Sequence, residues 1–185
     1  MKNIQSVCVF CSSSNNIDKK YRNTAKSLAK LLSTYNITII YGGGNTGMMG
    51  DIANTCIENN SKIIGIIPQF LKDRENLHQG LTQTYIENDM HKRKMKMFKL
   101  SDMFICLPGG LGTLDEFIEI LAWKQLGIHN KKIVLINSDN YWDKLLEFFK
   151  DIDIKRFSYN NTNNLFNVID KVEKIVSIIK YFFNK

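Results

Sequence analysis

Short continuous apolar runs alternate along this chain with amphipathic stretches of helical period. The runs Val7–Cys11, Ile37–Tyr41, Ile63–Ile67, Thr82–Ile86, Met103–Leu107, Ile133–Ile136 and Leu165–Val168 predict strands. Between them, Lys19–Thr34, Gly47–Asn59, Asp89–Leu100, Thr113–Leu126, Trp142–Asp151 and Lys171–Phe183 predict helices. In the first helix, Ala25, Leu28, Ala29 and Leu32 fall on one side. Gln69–Gln79 and Asn160–Asn164 are too polar for either pattern and are expected to be loops. Nearly unbroken apolar strands separated by helices are the mark of a parallel sheet covered on both faces. The expectation is an α/β chain, a single Rossmann-like domain spanning residues 1–185 without internal repeats.

Two glycine-rich turns stand at strand ends. Pro108-Gly109-Gly110-Leu111-Gly112-Thr113 follows the run Met103–Leu107 and precedes a helix. That arrangement aims backbone N–H groups at an anion, and glycines let the ligand come close. Glu116 stands on the first helical turn behind it, with Glu119 on the same face and Asp115 off it. Thr113-x-x-Glu116 is equally the pattern of a capping box, so a cap and an acid for chemistry are both open here. The second turn, Gly42-Gly43-Gly44-Asn45-Thr46-Gly47, fits G-x-G-x-x-G. It follows the second strand, however, and the next strand ends in Pro68 without an acid for a ribose hydroxyl, which argues against NAD. It lacks the Lys-Ser/Thr of a P-loop, and stands as an anion site or as close helix–strand packing. Two such turns at the carboxyl ends of parallel strands predict a shared crevice.

The segment Met90–Leu100 reads first as a charge run. At helical spacing, Met90, Met97, Phe98 and Leu100 form a stripe that includes Arg93 and Lys94, while Lys92, Lys96 and Lys99 face away. Inward cations need a core acid or a ligand.

Charge and composition narrow the classes. A net charge of +7 over 185 residues admits nucleic acid, but the lysines are spread throughout, so no nucleic-acid face is predicted. No apolar run approaches the ~20 residues of a membrane span, and the first strand pattern begins at about Ser6, leaving no room for a signal peptide. Cytoplasmic location follows as the expectation. Cys8 and Cys11 lie three apart on a strand and point to opposite faces, so buried free thiols are expected here and at Cys56 and Cys106. His78, His91 and His129 have no metal-ligand spacing, and no metal is expected.

The pieces Tyr41–Gly50, Met90-His91-Lys92-Arg93-Lys94 and Pro108–Glu116 together resemble the LONELY GUY family, the cytokinin riboside 5′-monophosphate phosphoribohydrolases. Cys11–Ser14 and Trp123–His129 also look familial, and the likeness fades after about Asp151. The resemblance implies hydrolysis of the N-glycosidic bond of a nucleoside 5′-monophosphate, giving free base and ribose 5-phosphate. It implies Arg93 and Glu116 as the catalytic pair. Gly110, Leu111, Gly112 and Thr113 would hold the phosphate, with Gly43, Gly44 and Lys94 nearby, and Glu75 would contact substrate from the long loop. Glu119 would either support Glu116 from behind or contact the ribose. No cofactor is implied; a homodimer is. If the base is a cytokinin, its apolar tail needs a sleeve, for which Met48, Met49 and Trp123 are candidates. A general AMP-type nucleosidase and a non-catalytic nucleotide or molybdenum-cofactor carrier of the same fold are the alternatives. Nothing marks a pyridoxal phosphate Schiff-base site, so a decarboxylase is set aside.

Overall fold

A computed structural model describes residues 4–72, 76–158 and 161–183. Seven strands form one sheet in the order β4-β3-β2-β1-β5-β6-β7, and every pairing is parallel. They are β1 Ser6–Phe10, β2 Thr38–Tyr41, β3 Ile63–Pro68, β4 Gln83–Glu87, β5 Met103–Cys106, β6 Lys132–Ile136 and β7 Asn167–Ile169. The helices are α1 Lys19–Thr34, α2 Gly47–Glu58, α3 Met90–Leu100, α4 Leu111–Gln125, α5 Asp143–Ile154 and α6 Ile175–Phe183. Strand order reverses at β1, which pairs with both β2 and β5. Loops leaving the carboxyl ends of β1, β2 and β5 therefore meet at a switch point, where parallel sheets bind ligands.

Period-two alternation divides the core into two layers. Val7, Val9, Ile39, Met103 and Ile105 pack with α1, α2 and α6, whereas Cys8, Phe10, Ile40, Phe104 and Cys106 pack with α3, α4 and α5. Cys8 and Cys11 thus lie in different layers, and all four thiols are buried and free. Asp51, 5% exposed, pins α2 to α1 by accepting from Arg22 Nε at 2.6 Å and Nη2 at 3.0 Å. Among the described residues, no helix is long and apolar enough to cross a membrane.

Several expected boundaries change, and α5 runs on to Ile154 instead of ending at Asp151. Helix α4 starts at Leu111 with Gly110 as its cap, two residues before Thr113, because the glycines themselves enter the first turn. The loop Gln69–Gln79 opens with a 3-10 turn, Gln69–Leu71, and returns through an antiparallel bridge between Leu77 and Gly44. The last strand sits at Asn167–Ile169 instead of Leu165–Val168, and pairs with β6 through Val134 to Ile136. The closing helix is split, with a 3-10 turn Val172–Lys174 before α6.

Two buried histidines hold loops by the same device. Nδ1 of His78 accepts from Gly80 N–H at 3.0 Å, so its Nε2–H donates to Asn54 Oδ1 at 3.0 Å. Nδ1 of His129 accepts from Lys131 N–H at 3.1 Å, and its Nε2–H donates to Ile120 O at 2.9 Å. Burial lowers both pKa values, the Ile120 bond opposing this at His129 and the nearby Lys124 and Lys131 adding to it. Each ring is neutral when folded but takes a proton when unfolded, so this stability is present above the unfolded value of about 6.5 and lost as pH falls through the lowered folded values. Urea titrations from pH 7 to pH 5 will show stability falling, and His129→Gln will flatten the slope; an equally steep slope in that variant would rule His129 out.

Candidate active site

Helix α4 begins in the open. Gly110 caps it with no side-chain hydrogen bond, and the first intrahelical bond is Leu114 N–H to Gly110 O at 3.0 Å. The N–H groups of Leu111, Gly112 and Thr113 precede that bond and have no partner within the helix. A Cβ placed on Gly110 or Gly112 would meet nothing within 4 Å, and Leu111 is 85% exposed. Thr113 is buried instead, its side chain beneath Gly109, where a Cβ would lie 2.1 Å from Thr113 Oγ1. Thr113 is therefore an interior helical residue and not the cap, which disposes of the capping-box reading of Thr113 and Glu116. Unsatisfied amides at the positive end of a helix dipole make an anion site.

The second glycine turn is spent on packing. Ser12 O accepts from Met48 N–H at 3.1 Å and Asn15 Oδ1 from Gly47 N–H at 2.8 Å, so the first two amides of α2 are already taken. Gly47, at φ +56°, lies so near the Ser13–Ser14 backbone that a Cβ would stand 2.4 Å from Ser14 O. Gly43 O accepts from His78 N–H at 3.0 Å and Asn45 N–H donates to Asn76 O at 3.0 Å, tying Gly43 and Gly44 to the returning loop. Glu75 lies outside the described residues.

Gly42 makes room for Arg93: a Cβ there would be 2.3 Å from its Nη2. Arg93 on α3 is 4% exposed, donates from Nε to Ile66 O at 3.1 Å, and places Nη2 3.5 Å from Glu116 Oε1. Glu116, 6% exposed, sits on the second turn of α4 instead of the first, about 7.5 Å along the axis from Leu111. Burial is the main cause of the raised thiol pKa values of Cys8, Cys11 and Cys106, and the Glu116 charge is the next. Lys94 also turns inward, but its Nζ is held by Asp115 and Glu119, both at 3.1 Å. Burial pulls the Lys94 pKa down, and the bonds and charges of the two carboxylates outweigh it, so the amine is more firmly charged than usual. Lys92 and Lys99 are exposed as expected, whereas Lys96 bonds Glu87 at 3.0 Å over the Tyr85 ring. Asp115 and Ile66 are additions to the site that the sequence does not suggest. Its spacing puts Asp115 off the acidic face, and a backbone acceptor leaves no trace in side-chain pattern.

Two cavities adjoin the site. One of about 280 Å³ lies at the switch point against Ser12, Tyr21, Gly109, Gly110 and Tyr141. Another, of about 570 Å³, lies between α3 and α4 and is lined by His91, Met95, Glu119 and Trp123. Trp123 is thus placed to meet a ligand, and Met48 borders the switch-point cavity from the core, while Met49 belongs to the core alone.

Residues 49–179 match the family described as possible lysine decarboxylase. The cytokinin riboside 5′-monophosphate phosphoribohydrolase of Rhodococcoides fascians is 35% identical over 177 residues, 95% of this chain and 89% of that protein. The chain belongs to the LONELY GUY family. A cytokinin riboside 5′-monophosphate phosphoribohydrolase of Arabidopsis thaliana is 44% identical over 142 residues, 77% of this chain and 62% of that LONELY GUY protein. Among solved structures, the molybdenum cofactor carrier protein of Chlamydomonas reinhardtii superposes with a TM-score of 0.72 at 17% identity, over 99% of this chain and all of that one. The molybdenum cofactor binding protein of Rippkaea orientalis gives 0.73 at 21% identity, over 99% of both chains. At such identities the likeness is one of fold.

Gly112 sits in a helix, where glycine costs about 1 kcal/mol relative to alanine, and nothing in the protein crowds it. Gly112→Ala is expected to stabilise the fold by up to ~1 kcal/mol in urea unfolding while weakening phosphate binding at least tenfold by calorimetry. Phosphate affinity at the wild-type level would mean that the ligand does not approach this turn.

Proposed function

We propose that the protein hydrolyses the N-glycosidic bond of a cytokinin riboside 5′-monophosphate, releasing the free base and ribose 5-phosphate. The buried Arg93–Glu116 pair, whose acid stands on the same helix whose open start offers its amides, carries this reading. Phosphate bound by Gly110, Leu111, Gly112 and Thr113 anchors the substrate remote from the reacting carbon and orients it. Departure of the base leaves a ribosyl cation of oxocarbenium character, which the Glu116 carboxylate stabilises while it orients or deprotonates the attacking water. Arg93 pairs with the Glu116 carboxylate and fixes its direction. Glu119, held by Lys94, faces the ribose. Gly43 and Gly44 shape the opposite wall, and Glu75 is the further substrate-contacting acid of this reading. The chain works as one cytoplasmic domain in a homodimer, with no metal or redox cofactor taking part.

The test is chromatographic assay of base release from AMP and from isopentenyladenosine 5′-monophosphate, supplied separately to wild type and Glu116→Gln. Wild type is expected to release base and ribose 5-phosphate, faster from the isopentenyl substrate. The variant should lose at least about 10²-fold in kcat while still binding nucleotide. Preference for AMP would mean general nucleotide salvage. Nucleotide bound but never cleaved by wild type would replace the hydrolase with a carrier.

A further inference from the structure

Tyr141 lies in the connection between β6 and α5, outside both glycine turns and the basic helix. Its hydroxyl donates to Gly109 O at 2.7 Å, reaching across 32 residues of sequence. The ring is backed edge-on by Tyr21, with centroids 5.5 Å apart, and by Trp142 at 4.7 Å. The turn that delivers it is costly. Asp139 (φ 52°) and Asn140 (φ 58°) are successive left-handed residues, a conformation disfavoured once a Cβ is present. Asn137 braces this turn, its Oδ1 accepting from Trp142 N–H and its Nδ2 donating to Asp143 Oδ1, both at 2.7 Å. Backbone strain held by surrounding bonds is often found where a side chain must be presented in one place.

We propose that Tyr141 is a positioning residue that locks the Gly109–Gly110 peptide plane in the orientation an anion needs. The inference rests on the phosphate site of the proposed hydrolase. The peptide is trans, so its C=O and N–H point in opposite directions. A hydroxyl bond that fixes Gly109 O on the Tyr141 side turns the Gly110 N–H the other way. Two neighbouring glycines would otherwise let that plane rotate at little cost. Rotation would put a carbonyl oxygen where the amide stands and set a negative dipole end against the phosphate. A phenol suits this role. Burial, followed by the neighbouring Tyr21 and Cys106, raises its pKa, so the hydroxyl stays protonated and donates. Tyr141 borders the switch-point cavity, and its hydroxyl is engaged by Gly109 O, so it acts through the loop.

The experiment compares wild type, Tyr141→Phe and Asn140→Gly. Inorganic phosphate is titrated while the Gly110 amide is followed by NMR, and KM and kcat for base release are measured on the same preparations. Tyr141→Phe keeps the ring packing and should melt within a few degrees of wild type. Its phosphate Kd and its KM should each rise about tenfold or more, with kcat changed far less. Asn140→Gly relieves the turn but retains the hydroxyl, and should bind phosphate as wild type does. Wild-type phosphate affinity in Tyr141→Phe, with wild type active, would overturn the positioning role and leave the hydrolase standing. So would equal losses in KM and kcat, or equal weakening by Asn140→Gly, since both mark a general structural effect. A wild type that binds no phosphate at all would overturn the positioning role together with the phosphate site.

Discussion

The contact between Arg93 and Glu116 is the constraint around which the carboxyl edge of the sheet is arranged. Each side chain is almost wholly removed from water, and a buried charge left without its partner costs about 3–5 kcal/mol. The pair therefore holds α3 against α4 and both against the ends of β2 and β3. Gly42 leaves the space that the guanidinium fills, and Ile66 supplies a carbonyl for its Nε–H. Lys94, one residue on, repeats the arrangement nearer the surface with Asp115 and Glu119. Two adjacent basic residues thereby orient three carboxylates on a single helix.

The two glycine turns look alike in sequence and differ in use. At the start of α2, the loop after β1 fills the amides with Ser12 and Asn15, and glycine serves close packing. At the start of α4 the amides are open and glycine leaves room for something else. The switch point thus has one closed wall and one receptive wall. A nucleotide would be gripped by α4 and merely bounded by α2.

Most of the fold was legible because β1, β2, β3 and β5 are buried on both faces and read as plain apolar runs. The exceptions have physical causes. β7 has only three residues, two of them not buried, so hydrophobicity placed it two positions early. α4 was placed late because glycines enter its first turn against their propensity. Arg93 and Lys94 were legible through helical period alone, since cations within an apolar stripe need partners. Their partners were less so: Glu116 had two readings until the cap was located at Gly110. Tyr141 left no signal, because its role depends on a contact between distant loops and not on local pattern.

Arg93 and Lys94 supply two cations, and Glu116, Asp115 and Glu119 three carboxylates, so both cations are already answered by the protein itself. With Arg93 and Lys94 so paired, a phosphate at the start of α4 would meet chiefly the dipoles of backbone amides among the described residues. Such a grip is short-ranged and adds little long-distance Coulomb attraction to the complex. An enzyme built this way can hold the phosphate during the reaction and still let a dianionic sugar phosphate leave afterwards, over a wide range of ionic strength.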